Sequence, residues 1–141
     1  MGKVVFTLVS KQTDTCYVQA QASSPSFSAV TSFNCLAKTL VEFGKKIKGF
    51  PKHTDEKLEF SLGAGKGKAE FTFRTVGGDG NSECWVRIKG LEDEQGQSPE
   101  AYFPIDYLET GFIDAFSQEV VKMGTGHGTT AELKNRFEKR A

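Results

Sequence analysis

Histidine is almost missing from this chain. His53 and His127 are the only two in 141 residues. Both stand in polar loop sequence with no second ligand at a usable spacing, so metal and acid–base chemistry find little material. Cys16, Cys35 and Cys84 are an odd number without a CxxC pair, which argues against a disulfide framework or zinc site and for free thiols in a reducing compartment. Net charge is lacking as well: 18 basic residues balance 18 acidic ones. Nucleic acid, whose binding rests on many Lys and Arg contacts to phosphate, is therefore not an expected partner. No apolar run approaches the ~18 residues that cross a bilayer. No charged-then-apolar leader precedes residue 30, and Phe6 stands where a myristoylation signal after Gly2 needs Ser or Thr. The expectation is a cytoplasmic protein with no membrane partner. No Ser–His–Asp or Cys–His constellation can be assembled, so the chain is expected to be no enzyme, with no catalytic residue, metal or cofactor.

What the chain has in quantity is phenylalanine, 12 copies against two methionines. Each Phe that becomes fully buried stabilises a fold by about 1.5–3 kcal/mol, so the core should be aromatic. The length suits one domain with one core.

Residues 28–51, SAVTSFNCLAKTLVEFGKKIKGFP, place Phe33, Leu36, Ala37, Leu40, Phe43, Gly44 and Ile47 at steps of three and four. That spacing predicts one long amphipathic helix, capped near Ser26 or Ser28 and ended by Gly49 and Pro51. Before it, 3–9 (KVVFTLV) and 15–22 read as a hairpin, the first strand apolar enough to be central. After it, Leu58, Phe60 and Leu62, then Ala69, Phe71 and Phe73, then Cys84, Val86 and Ile88 alternate with polar neighbours, a meander turned at 63–68 and at 77–81. AYFPI (101–105) is a further strand, at an edge or ending there because Pro104 has no N–H. Asp106 and Glu109 resemble a capping box for a second helix over 107–122, with a stripe of Leu108, Phe112, Phe116 and Val120. Gly111 costs that helix about 1 kcal/mol relative to Ala and suggests close packing there. Residues 123–130 (MGTGHGTT) read as a flexible linker, and 131–140 as a short tail helix anchored by Leu133 and Phe137. The expected fold is α+β: a mainly antiparallel sheet of about six strands on a long central helix, with a second helix after the last strand. Residues 1–123 form the domain, and 124–141 the linker and tail.

The glycine-rich GAGKGKAE joins two strands, whereas a P-loop leads from a strand into a helix. Lys45, Lys46, Lys48 and Lys52 suit the negative end of a helix dipole. Two features point to a protein partner. Trp85 lies opposite Cys84, Val86 and Ile88, so it sits on the outer face of the meander with Arg74 and Arg87, residue types that dominate binding hot spots. Glu92, Asp93 and Glu94 form an acidic loop of the kind that can meet a basic partner.

The order of elements, with LAKTLVEFGKKIKGFP, LEFSLG, AEFTFRTVGGDGNSECWVRIKG and FPIDYLETGFIDAF, resembles small bacterial immunity proteins of the WapI type over about residues 4–122. The resemblance implies a non-enzymatic inhibitor that occludes a toxin, and carries over no catalytic residue. The chain departs from it in lacking the acidic character of many immunity proteins and in its tail. The expected function is thus an intracellular protein-binding domain acting through Arg74, Trp85, Arg87 or the 92–94 loop. The alternatives are an assembly protein that self-associates through Leu133 and Phe137 of the tail, and a small-ligand carrier with a pocket between helix and sheet.

Overall fold

The structure, a computed structural model, describes residues 2–53, 55–63, 67–76, 81–91 and 94–135. Among these the chain forms β1 (Lys3–Lys11), β2 (Thr15–Ser23), β3 (Ser28–Leu36), α1 (Ala37–Ile47), β4 (Lys57–Leu62), β5 (Lys68–Val76), β6 (Asn81–Lys89), β7 (Glu100–Leu108), α2 (Thr110–Thr125) and β8 (Thr130–Lys134). The fold is α+β, but the strands make two antiparallel four-stranded sheets, ordered β3-β2-β1-β8 and β4-β5-β6-β7, where one sheet of about six was expected.

The chain departs from the expected elements in three places, of which the first and last add the strands that make two sheets. Residues 28–36 are a strand and only Ala37–Ile47 are helical. Phe33 satisfies both periods, but Ala29, Thr31, Phe33 and Cys35 alternate inward, and all nine residues pair with β2. At the second helix the strand continues through Asp106 to Leu108, and α2 starts at Thr110 behind Glu109, which makes no side-chain cap bond. At the C-terminal end, 123–125 complete α2, Gly126 caps it in the left-handed region (φ 83°), and 130–134 pair with β1 as a strand where a helix was expected. The Ala, Glu and Leu of TAELK favour a helix in isolation. Here the open edge of β1 overrides that preference by satisfying the backbone and burying Ala131 and Leu133. The rest of the predicted tail lies outside the described residues. β1 is internal to its sheet and β7, with Pro104, is at an edge.

A repeat runs through this architecture. GKVVFTL (2–8) opens β1 and GKAEFTF (67–73) opens β5; LVEFG (40–44) lies in α1 and VVKMG (120–124) in α2. Each half is three antiparallel strands and a helix, and the strand after each helix completes the other half's sheet: β4 lies beside β5, β8 beside β1. From the equivalent Phe6 and Phe71, the register leads to Ala20 and Val86, then to Thr31 and Phe103.

The helices meet through their repeated glycines. A Cβ on Gly44 would stand 2.7 Å from Val121 and 2.8 Å from the Ser117 carbonyl oxygen; one on Gly124 would stand 2.7 Å from Val41 and 2.9 Å from the Ala37 carbonyl oxygen. Val41 and Val121, like Ala37 and Ser117, hold equivalent places, so the contact is reciprocal, as across a twofold axis. Ser117 donates its hydroxyl to the Gly44 carbonyl at 2.6 Å, and the Gly49 N–H reaches Asp114 at 2.6 Å. In the core, the Phe6 ring lies 6.2 Å from Phe33, 6.3 Å from Phe43, 5.7 Å from Phe71 and 5.4 Å from Phe116, centroid to centroid. Both sheets and both helices therefore meet on one side chain. Close packing falls at Gly44 and Gly124; Gly111, where it was expected, has nothing within 4 Å of a built Cβ.

Two substitutions separate these roles. Gly111→Ala should stabilise the protein by up to about 1 kcal/mol, because it relieves only the glycine penalty in a helix. Gly44→Ala should destabilise it by about 1–3 kcal/mol through overpacking. Urea melts of both variants check the opposite signs.

Candidate partner-binding face

Side chains alternate across a strand, so the residues between the buried ones of β4–β7 form the outer face of the second sheet. Thr72, Trp85 and Pro104 lie in one cross-strand row, and Glu70, Arg87 and Tyr102 in the next. Trp85 packs on Tyr102 with ring centroids 4.9 Å apart and planes at 36°. The Arg87 guanidinium sits 4.2 Å above the Tyr102 ring and pairs with Glu100. Arg74 lies 5.9 Å from the Trp85 ring and pairs with Glu83, and the Trp85 indole N–H donates to the same Glu83 carboxylate at 3.0 Å. The result is a ladder, Arg74–Trp85–Tyr102–Arg87, clamped at its ends by Glu83 and Glu100. Tyr102 is 52% exposed and Trp85 half-buried.

The electrostatics of the face are balanced. Lys57 pairs with Glu59 at 3.0 Å and Lys68 with Glu70 at 3.4 Å, so each of these cations, like the two arginines, has a carboxylate of its own. A polyanion would have to displace those partners, whereas a surface of mixed charge can exchange with them. The hydrogen bond from Arg87 holds the Glu100 carboxyl below its ordinary value. At the other end of the ladder a bulge in the β6–β7 pairing, between Ser82 and Cys84, brings Asp106 against Glu83. Partial burial, then the charge of Glu83 and a hydrogen bond to it, push the Asp106 carboxyl above its ordinary value.

Of the residues singled out from sequence, the structure brings Arg74, Trp85 and Arg87 together. Tyr102, Glu83 and Glu100 belong with them and were not anticipated. Alternation within AYFPI, which turns Phe103 inward, was the signal for Tyr102. Glu94 is exposed in the β6–β7 loop, closed at its base by the Gly90 N–H to Pro99 carbonyl bond of 2.8 Å; Glu92 and Asp93 lie outside the described residues. Leu133 is fully buried in the strand β8, a correction to its expected place on the apolar side of a tail helix, and Phe137 lies outside the described residues. The three cysteines are free thiols. Burial pushes Cys35 up to about 12, and Cys84 and Cys16 also upward, so all three are protonated at neutral pH and weak nucleophiles. Among the described residues no group of three or more His, Cys, Asp and Glu is placed to hold a metal ion. Among the described residues no helix is long and apolar enough to cross a membrane.

Compared with known proteins, the chain matches no family model, no curated protein and no solved structure.

The Glu83–Asp106 contact has a pH signature. Asp106 binds its proton more tightly in the fold than in the unfolded chain, so its favourable contribution is complete at low pH and is lost as pH rises through its folded value. Asp106→Asn should therefore melt higher than the parent at pH 7, with the gap closing below the ordinary carboxylate range. Thermal melts from pH 3 to 7 check this; a gap that widens on acidification would contradict the assignment.

Proposed function

We propose that this chain is a non-catalytic, cytoplasmic protein-binding domain whose interface is the outer face of the β4-β5-β6-β7 sheet, centred on Trp85, Tyr102, Arg74 and Arg87. The observation that carries the reading is an asymmetry between the two halves. Two central inward positions repeat, Phe6 answering Phe71 and Leu133 answering Leu62. The aromatic and arginine positions of the outer face do not. Where the second sheet has Trp85, Arg87 and Tyr102, the first has Gln19, Gln21 and Val30 at the equivalent places. The β3-β2-β1-β8 sheet forms without a ladder, so the architecture does not demand one. A Trp, a Tyr and two Arg on an open sheet face are the residue types that carry most binding energy in protein interfaces, and the paired charges around them suit a protein surface of mixed charge. Three free thiols fit a reducing compartment.

In its sharper form the reading is an immunity-like inhibitor that lays this face over a toxin and occludes it, as the sequence resemblance implies. Self-association through the tail has less support, because Leu133 is committed to the core. A ligand carrier with a pocket between helix and sheet has to contend with the phenylalanine cluster packed there.

The test is affinity capture from cells of the source organism, followed by titration of the purified partner. Arg87→Ala should weaken binding by about 2 kcal/mol, roughly 30-fold in Kd. Gln21→Ala, its counterpart on the other sheet, should leave Kd unchanged. A partner that binds Arg87→Ala and Tyr102→Ala as tightly as the parent would refute this placement of the interface.

A further inference from the structure

We infer a second binding site, independent of the ladder: the free edge of β3 takes an extended peptide as an added strand, with one aromatic side chain seated between Val30 and Leu91. Among the described residues no strand pairs with the outer edge of β3. The direction of its backbone groups follows from the register. The bonds Ser24 N–H to Phe27 O (2.7 Å) and Ala37 N–H to Asp14 O (2.8 Å) bracket β3, so the odd-numbered residues between them hydrogen-bond to β2. The N–H and C=O groups of Ser28 and Val30 consequently point away from the sheet. Such a row of donors and acceptors is matched by another extended backbone.

The edge is set in a groove. A space of about 590 Å³ runs along Ser28–Ser32, with Gln19 on its floor and Leu91 and Pro99 on its far wall, within the size range of ligand sites. One end is shut: Thr31 donates its hydroxyl to the Lys89 carbonyl at 2.8 Å, and the Gly67 backbone passes so close to Ser32 that any Cβ there would run into the Ser32 carbonyl oxygen. The walls hinder edge-to-edge approach of a second folded copy but leave room for a single extended segment.

The repeat shows what such a crevice accepts. By register, the positions equivalent to its lining in the other half carry Trp85, Tyr102, Phe103 and Phe27, the last two stacked at 6.2 Å and 23°. At the matching positions here stand Gln19, Val30, Thr31 and Pro99. Smaller side chains at four positions that are aromatic in the other half leave room beside β3 for a ring. Val30 and Leu91 are left 54% and 57% exposed, apolar surface that an incoming ring would cover. Among the described lining residues the one that is charged, Glu100, is already paired with Arg87, so an uncharged peptide suits them.

A phage-displayed heptapeptide library, selected on the full-length protein, is the probe. Selected peptides should share one aromatic position and shift the amide resonances of Ser28 and Val30. They should bind Val30→Pro and Leu91→Asp at least tenfold more weakly than the parent. Proline at position 30 removes an N–H that β2 does not use, and its ring blocks the edge. Leu91→Asp leaves the β3 backbone untouched and decides the matter alone if Val30→Pro does not fold. The inference is overturned if no peptide is selected, or if selected peptides bind both variants as well as the parent. It is equally overturned if they shift the Trp85 row instead, or if the parent is a dimer that Val30→Pro makes monomeric.

Discussion

Phe6 touching Phe71 is the contact on which the rest of the molecule depends. The two rings are equivalent residues of two similar halves, one from each sheet, 5.7 Å apart, and Phe43 and Phe116 bring a helix each to the same point. Aromatic pairs of this kind contribute about 0.5–1.5 kcal/mol each beyond the area they bury. The exchange of β4 and β8 between sheets makes the arrangement obligatory. Neither four-stranded sheet is complete without a strand that follows the other half's helix, so a half on its own would keep an open edge and a bare core face.

That constraint separates what the fold needs from what has been added to it. The central phenylalanine of each half, Phe6 and Phe71, and the glycines at the helix crossing recur because packing demands them twice. Outside, the halves have diverged. One sheet face carries the Arg–Trp–Tyr–Arg ladder and its carboxylate clamps, and the matching face carries glutamines and a valine. Beside β3 a groove is open, lined by smaller residues at positions that are aromatic in the other half. Residues that the architecture does not require, concentrated on one of two equivalent surfaces, are the physical basis for placing function there.

The sequence was legible wherever one period acted alone. Strict alternation through Leu58–Phe60–Leu62, Ala69–Phe71–Phe73 and Cys84–Val86–Ile88 gave the meander, its inward set and the outward position of Trp85, and Pro104 marked an edge. It misled where two periods coincided. Phe33, Leu36, Ala37 and Leu40 lie three and four residues apart around a helix, while the inward set Ala29, Thr31, Phe33 and Cys35 is disguised by a threonine whose hydroxyl donates to the Lys89 carbonyl of the other sheet. TAELK is helical by local preference and a strand by its neighbour. The repeat of GKVVFTL in GKAEFTF was open to inspection, and with it the two-sheet architecture and the asymmetry of the faces. The partnership of Trp85 with Tyr102 required knowing that β7 pairs with β6.

Native-state hydrogen exchange tests the interlocked core most directly. If the Phe6–Phe71 contact and the exchanged strands bind the halves into one unit, the slowest amides of β1–β2 and of β5–β6 should open at the same free energy, within about 1 kcal/mol, and with the same denaturant dependence. One sheet opening several kcal/mol below the other, with its own shallower denaturant slope, would show two units that fold separately and would contradict the account.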